Sequence, residues 1–222
     1  ARMLVLSDGT TRGTIGGGKF ESLVIADARK LLEDHGLPFT RRYDFVPEGP
    51  NAFGAVCGGT ATVLLEILEH SPRLLVVGAG HCGRALARAA NFSGYEVTVA
   101  DEREEQLDSA AFPPGARLVR VKDDYSDLPL PGPTDFVAIV SRGHVTDGLA
   151  FRRLRGVPVA YLGMIGSRAK RKVLFDELRA EGFTEEELLR AKCPIGLDIG
   201  AESPEEIAIA IMAELITSRR RA

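Results

Sequence analysis

The stretch Leu74-Leu75-Val76-Val77-Gly78-Ala79-Gly80-His81-Cys82-Gly83-Arg84 runs from an apolar strand pattern through G-x-G-x-x-G into a helical pattern. In such a segment the first glycine permits a tight turn, the second lets backbone approach a pyrophosphate, and the third lets helix and strand pack. The N-terminus of the helix adds free N–H groups that face the anion. A second strand reads from Tyr95 to Ala100 and ends at Asp101, about twenty residues past the glycines, where a carboxylate meets a nucleotide ribose. The same glycines also suit an ordinary α/β turn that binds nothing.

Outward from this segment, strands and helices alternate: helix His81 to Phe92, strands Leu118 to Val121 and Asp135 to Val140, a helix after Asp147, and strand Val157 to Leu162. That alternation predicts an α/β fold, a Rossmann-like doubly wound parallel sheet with helices on both faces. Gly182 closes one helix and Thr184 to Glu187 offers a capping box to the next. Ser203, Pro204 and Glu206 start the last helix, whose apolar face includes Ile207, Ile211 and Leu215.

Upstream lies a second, smaller α/β domain. It shows a strand at Met3 to Leu6, a turn at Asp8-Gly9, the glycine-rich Gly13 to Gly18 segment, a helix from Phe20 to Asp34, and a strand from Thr60 to Leu68. His70-Ser71-Pro72 marks the boundary, giving domains 1–70 and 71–222. A strand at the very first residues predicts that the N-terminal domain is incomplete.

The chain has 222 residues, 45% hydrophobic and 27% charged, with a net charge of −3, so no global field favours nucleic acid or an acidic membrane. Three scattered cysteines, no signal-peptide pattern and no membrane-length apolar run predict a cytoplasmic protein.

In an open α/β sheet ligands bind beyond the carboxyl ends of the strands, where four polar loops fall here. They are Gly78 to Gly83, Asp101 to Arg103, Ser141-Arg142-Gly143-His144, and Gly163 to Arg168. Arg168, Lys170, Arg171 and Lys172 crowd the start of a helix and oppose its dipole by ~0.3–1 kcal/mol each. A phosphate bound at Ser167, Arg168 and Lys170 would explain them; pairing with Asp176 and Glu177 is the alternative. His144 suits proton transfer with Asp147 orienting it, and His81 lies inside the glycine loop. Cys57, before Gly58-Gly59, is compatible with soft-metal or sulfur chemistry, whereas Cys82 is either activated by a helix terminus or packed.

With these residues together, the chain resembles the xanthine dehydrogenase accessory factors, the XdhC/CoxI-type family of molybdenum-enzyme maturation proteins. The carrying segments are Gly13 to Gly18 with Glu21, Cys57-Gly58-Gly59, Gly78-Ala79-Gly80-His81 with Gly83, and Asp101-Glu102-Arg103. Arg142-Gly143-His144 with Asp147, Gly163 to Arg168 with Lys170, and Pro194 to Ala208 complete them.

The resemblance implies a chaperone, not itself a catalyst, that holds molybdenum cofactor during sulfuration and delivers it to a xanthine dehydrogenase-type apoenzyme. The cargo is molybdopterin or its dinucleotide form, and a cysteine desulfurase is the implied sulfur source. Gly16, Gly17 and Gly18 would admit the pterin, while Gly78, Gly80, His81, Gly83, Asp101, Arg142, His144, Ser167, Arg168 and Lys170 line the crevice. Cys57 would touch molybdenum or its sulfur. The competing reading is an NAD(P)-dependent oxidoreductase with Asp101 on the ribose and His144 as acid/base; a nucleotide-sensing module is a third. A homodimer is compatible with all three.

Overall fold

A computed structural model describes the chain apart from residues 35, 49–51, 53–57, 69–70 and 222. The chain divides into two compact units, Ala1–His70 and Ser71–Ala222.

In the first unit β1 (Arg2–Val5) pairs antiparallel with β2 (Thr11–Thr14) across a turn in which Asp8 Oδ1 accepts from Thr10 N at 2.8 Å. Helix α1 (Gly18–Glu33) follows, then the antiparallel pair β3 (Phe39–Asp44) and β4 (Thr60–Leu65). Phe20, Val24 and Leu31 of α1 bury their side chains with Tyr43 and Leu65. The sequence pattern does not announce β2 or β3. All four β2 residues and the first four of β3 are exposed, so no apolar alternation marks either strand.

The second unit opens with β5 (Arg73–Val77), α2 (His81–Phe92) and β6 (Glu96–Asp101), and two short 3-10 turns lead to β7 (Arg117–Arg120). Then come β8 (Phe136–Ile139), α3 (His144–Arg153), β9 (Tyr161–Met164), α4 (Arg168–Ala180), α5 (Glu185–Leu189), β10 (Ala191–Lys192) and α6 (Pro204–Arg221). The six strands form one parallel sheet in the order β10-β9-β8-β5-β6-β7. The predicted Rossmann-like α/β fold is therefore what the chain adopts, with the strand order reversing at β5.

Alternation along β5 explains the layering. Leu74 and Val76 pack with α2 and α6 through Leu86, Ala90, Ile211 and Leu215, whereas Leu75 and Val77 face Phe151, Leu174 and Leu178 of α3 and α4. Both faces are thus apolar, as a parallel sheet covered on two sides requires. The helix signals work as read: Thr184 and Glu187 form a reciprocal capping box, and Glu206 accepts from Ser203 N at 3.0 Å while Ser203 Oγ accepts from Glu206 N at 3.2 Å.

Several boundaries differ from expectation, among them the strand expected at Thr60 to Leu68, which is Thr60–Leu65. The strand expected at Val157 to Leu162 is Tyr161–Met164, and α3 starts at His144 rather than after Asp147. Gly163 reads as loop in the sequence but is a strand residue, where an added Cβ would meet Ile195 Cδ1 at 2.5 Å and Tyr161 Oη at 2.7 Å. A glycine demanded by packing looks the same in sequence as one demanded by a turn.

On α6, Ile211 is fully buried and Ile209 is exposed. Ile211→Ala should cost about 2–5 kcal/mol and Ile209→Ala within about 0.5 kcal/mol, measured by urea unfolding of the two variants.

Candidate functional site

The strand order reverses between β5 and β8, which places the switch point, where open α/β sheets bind ligands, among the tips of β5, β6 and β8. At the tip of β5 the three glycines divide the work. Gly78, at φ +116°, lies so close to the β8 loop that a Cβ would meet Val140 O at 2.6 Å, and one on Gly83 would fall on the Gly78 carbonyl. Gly80 is different: nothing lies within 4 Å of where its Cβ would be. It caps α2 without a side-chain hydrogen bond, and the first turn carries no acidic residue. The open face of the turn is therefore backbone N–H at the positive end of a helix.

Asp101 holds this turn in place. Its fully buried carboxylate accepts from Ala79 N at 2.6 Å, from Arg103 N at 2.9 Å, and from Arg103 Nε and Nη2 at 3.0 and 2.9 Å. Burial disfavours its charge, but the bonds from Arg103 and Ala79 outweigh that and keep its pKa below the ordinary carboxylate value. The residue expected on a ribose is thus spent on its own backbone and on Arg103. Arg84 adds a second tether through Nε to Ala79 O at 3.1 Å.

Beside it, Glu102 is also buried, and its Oε2 accepts from Tyr125 Oη at 2.6 Å. Burial, then the neighbouring Glu102 carboxylate, pushes the Tyr125 phenol far up, so the phenol remains the donor. Glu102 Oε1 lies 3.5 Å from Arg103 Nε and 3.4 Å from Arg142 Nε but receives no hydrogen bond. Arg142, whose side chain is 63% exposed, thereby links the β8 loop to the β6 loop across the tip of β5.

The β8 loop leads into α3 through a compact network. Ser141 Oγ donates to Asp147 Oδ1 at 2.5 Å, and the single Thr146 hydroxyl proton serves either Ser141 Oγ at 2.6 Å or Gly143 O at 2.9 Å. Burial raises Asp147 to about 6, moderated first by Ser141 and more weakly by Lys170 and His144. Asp147 spends its short bond on Ser141, whereas His144 is exposed at the first position of α3. The expected orientation of His144 by Asp147 gives way to a loop clasp.

At α4, Ser167 caps the helix itself, accepting from Lys170 N at 3.2 Å. Arg168 and Lys170 are exposed, while Arg171 donates to Cys193 O at 3.3 Å and stacks on Phe175. Burial raises the thiol of Cys82, which sits half-buried at the start of α2, and pushes Cys193 up to about 11. Neither cysteine is an activated thiolate, so Cys82 belongs with the packed alternative.

In the first unit Gly16, Gly17 and Gly18 all take positive φ with no atom within 4 Å of an added Cβ. Glu21 reaches back to them, its Oε2 accepting from Thr14 Oγ1 at 2.5 Å and from Ile15 N and Gly17 N at 3.0 Å. Cys57 lies outside the described residues; Gly58 and Gly59, which follow it, exchange backbone bonds with Phe45 at 2.9 and 3.0 Å. Among the described residues no cluster of His, Cys, Asp or Glu could hold a metal ion, and no helix is long and apolar enough to cross a membrane.

Of the residues in the site, Glu102 and Arg103 are visible in the sequence as a polar loop, but Tyr125 gives no signal. It enters only because the loop after β7 folds beneath Glu102.

Known proteins share this architecture. Residues 74–215 match the XdhC Rossmann domain, and residues 1–44 match the XdhC and CoxI family. The uncharacterized protein YqeB of Escherichia coli (strain K12) is 35% identical over the whole chain, and a probable xanthine dehydrogenase component of Bacillus subtilis (strain 168) is 29% identical over 73% of it. The matches span 41% and 47% of those two relatives, so the chain corresponds to less than half of each. A crystal structure described as a xanthine dehydrogenase from Bacillus halodurans superposes with a TM-score of 0.60 at 25% identity, covering all of this chain and 86% of that one.

Two outcomes follow from the site. Gly83→Ala should cost at least about 1–3 kcal/mol in urea unfolding because backbone must move, while Gly80→Ala should leave stability within about 1 kcal/mol. Asp147, neutral more readily in the fold than in the unfolded chain, weakens the fold as pH rises from about 4 to about 6. Asp147→Asn should therefore raise the melting temperature at pH 8, with the gain shrinking toward pH 4.

Proposed function

Because the chain belongs to the XdhC and CoxI family, we propose that it is an accessory protein of a xanthine dehydrogenase-type molybdoenzyme. It holds molybdenum cofactor while the cofactor is sulfurated and passes it to the apoenzyme. The relatives named as xanthine dehydrogenase components support the enzyme context. A cysteine desulfurase is the sulfur donor this reading requires.

The observation that carries the reading is the open turn at Gly80. Gly78 and Gly83 are filled by the fold's own packing, whereas the space at Gly80 is empty and faces an uncapped helix N-terminus. A phosphoryl group fits there, because it accepts several backbone N–H bonds and its charge complements the helix dipole, worth about 0.3–2 kcal/mol. Arg142, largely exposed at the same rim, supplies a cation for the same anion. Arg168 and Lys170, both exposed on the first turn of α4, are the further cations of this reading. Cys57 remains the proposed contact for molybdenum or its sulfur.

A nicotinamide-dependent oxidoreductase shares the strand order but asks more of the loops. Its acid/base would be His144 oriented by Asp147, and Asp147 is engaged with Ser141.

Incubating the purified chain with molybdopterin freed from a denatured molybdoenzyme, then passing it through gel filtration, should leave pterin with the protein near one-to-one stoichiometry. Gly80→Val, which fills the open turn, should weaken retention by about tenfold or more, a loss of ~1.4 kcal/mol. Retention of NAD but never of pterin would overturn the carrier reading.

A further inference from the structure

We infer that Glu102, rather than Asp101, is the carboxylate that receives a ribose hydroxyl, and that the crevice is built for a nucleoside diphosphate group such as the nucleotide form of the cofactor carries. The inference rests on the reading that the Gly78–Gly83 turn grips a phosphoryl group.

The two acids at the tip of β6 have opposite hydrogen-bond states. Asp101 already accepts from one backbone N–H of the glycine turn, one of its own loop and two guanidinium N–H groups. No oxygen is left to seek a ligand. Glu102 uses Oε2 on Tyr125 and leaves Oε1 buried without a donor. A buried carboxylate oxygen with no directed hydrogen bond is uncommon, and charge pairing alone offsets its desolvation only in part. Two guanidiniums stand 3.4 and 3.5 Å away and balance its charge, yet neither is aligned to donate.

Position selects the donor. Glu102 follows directly on the residue bonded to Ala79 N, so it stands one strand tip from the phosphoryl cradle, the reach of a sugar joined to the diphosphate. Arg142 covers Oε1 from the β8 loop with a side chain 63% exposed and unbonded to it by hydrogen-bond geometry. A ligand entering over Gly80 displaces Arg142, uncovers Oε1 for its hydroxyl, and leaves the guanidinium beside the diphosphate. At the end of β7 a shallow, open depression of about 650 Å³ is lined by Arg120, Val121, Lys122, Asp123, Asp124 and Asp127.

The test uses the full chain with inorganic pyrophosphate, the diphosphates of adenosine, cytidine and guanosine, and their 2′-deoxy and 3′-deoxy counterparts, read by calorimetry. At least one ribonucleoside diphosphate should bind, and its affinity should fall roughly ten- to hundredfold on losing one ribose hydroxyl, the usual effect of a bond to a charged group. Glu102→Gln should lose that preference while pyrophosphate binds as before. Equal binding of ribo and deoxy forms to the wild-type chain overturns the inference, as does a preference that survives in Glu102→Gln or binding of pyrophosphate without any nucleoside diphosphate. Failure of pyrophosphate and every nucleotide to bind would instead remove the phosphoryl-cradle reading on which it rests.

Discussion

The Asp101 carboxylate lies fully out of solvent between the tip of β6 and the glycine turn of β5, where its bond to Ala79 N at 2.6 Å keeps the turn extended over the sheet. Gly78 and Gly83 allow that shape, but permissive residues do not by themselves hold one. The bidentate Arg103 guanidinium supplies the counter-charge that makes a buried carboxylate tolerable. Without Asp101 the Ala79 N–H would be orphaned beside the helix terminus. The shape of the glycine turn therefore depends on a buried acid one strand away.

The first unit repeats this logic with a different result. Glu21 gathers Thr14, Ile15 and Gly17 onto one oxygen at the start of α1, so a carboxylate from the chain occupies the positive end of that helix. Those hydrogen bonds hold Glu21 below its ordinary pKa. At α2 the first turn carries no acidic residue and no side chain caps the helix. An internal carboxylate at one helix start and no acidic residue in the first turn of the other distinguish the two glycine turns.

Around the glycine turn, charge is placed in pairs. Arg103 is committed by hydrogen bonds to Asp101, and Arg142 forms an ion pair with Glu102 without a hydrogen bond. The Ser141–Asp147 clasp fixes the loop that carries Arg142, and burial of Asp147 makes that clasp sensitive to pH near 6.

How far the chain could be read before folding follows from the range of each signal. Local patterns determined the Rossmann-like α/β fold, the glycine turn, the capping boxes of α5 and α6 and the apolar faces of β5, because each rests on neighbours within a few residues. The tertiary structure alone decided that Asp101 serves the backbone, that Glu102 keeps an unbonded oxygen, and that Tyr125 lies beneath it. It also turned Gly163 into a packing contact for Ile195. Those outcomes depend on partners brought together by strand order, and a carboxylate's lone pairs are claimed by whichever donors the fold delivers, a choice that spacing along the chain does not encode.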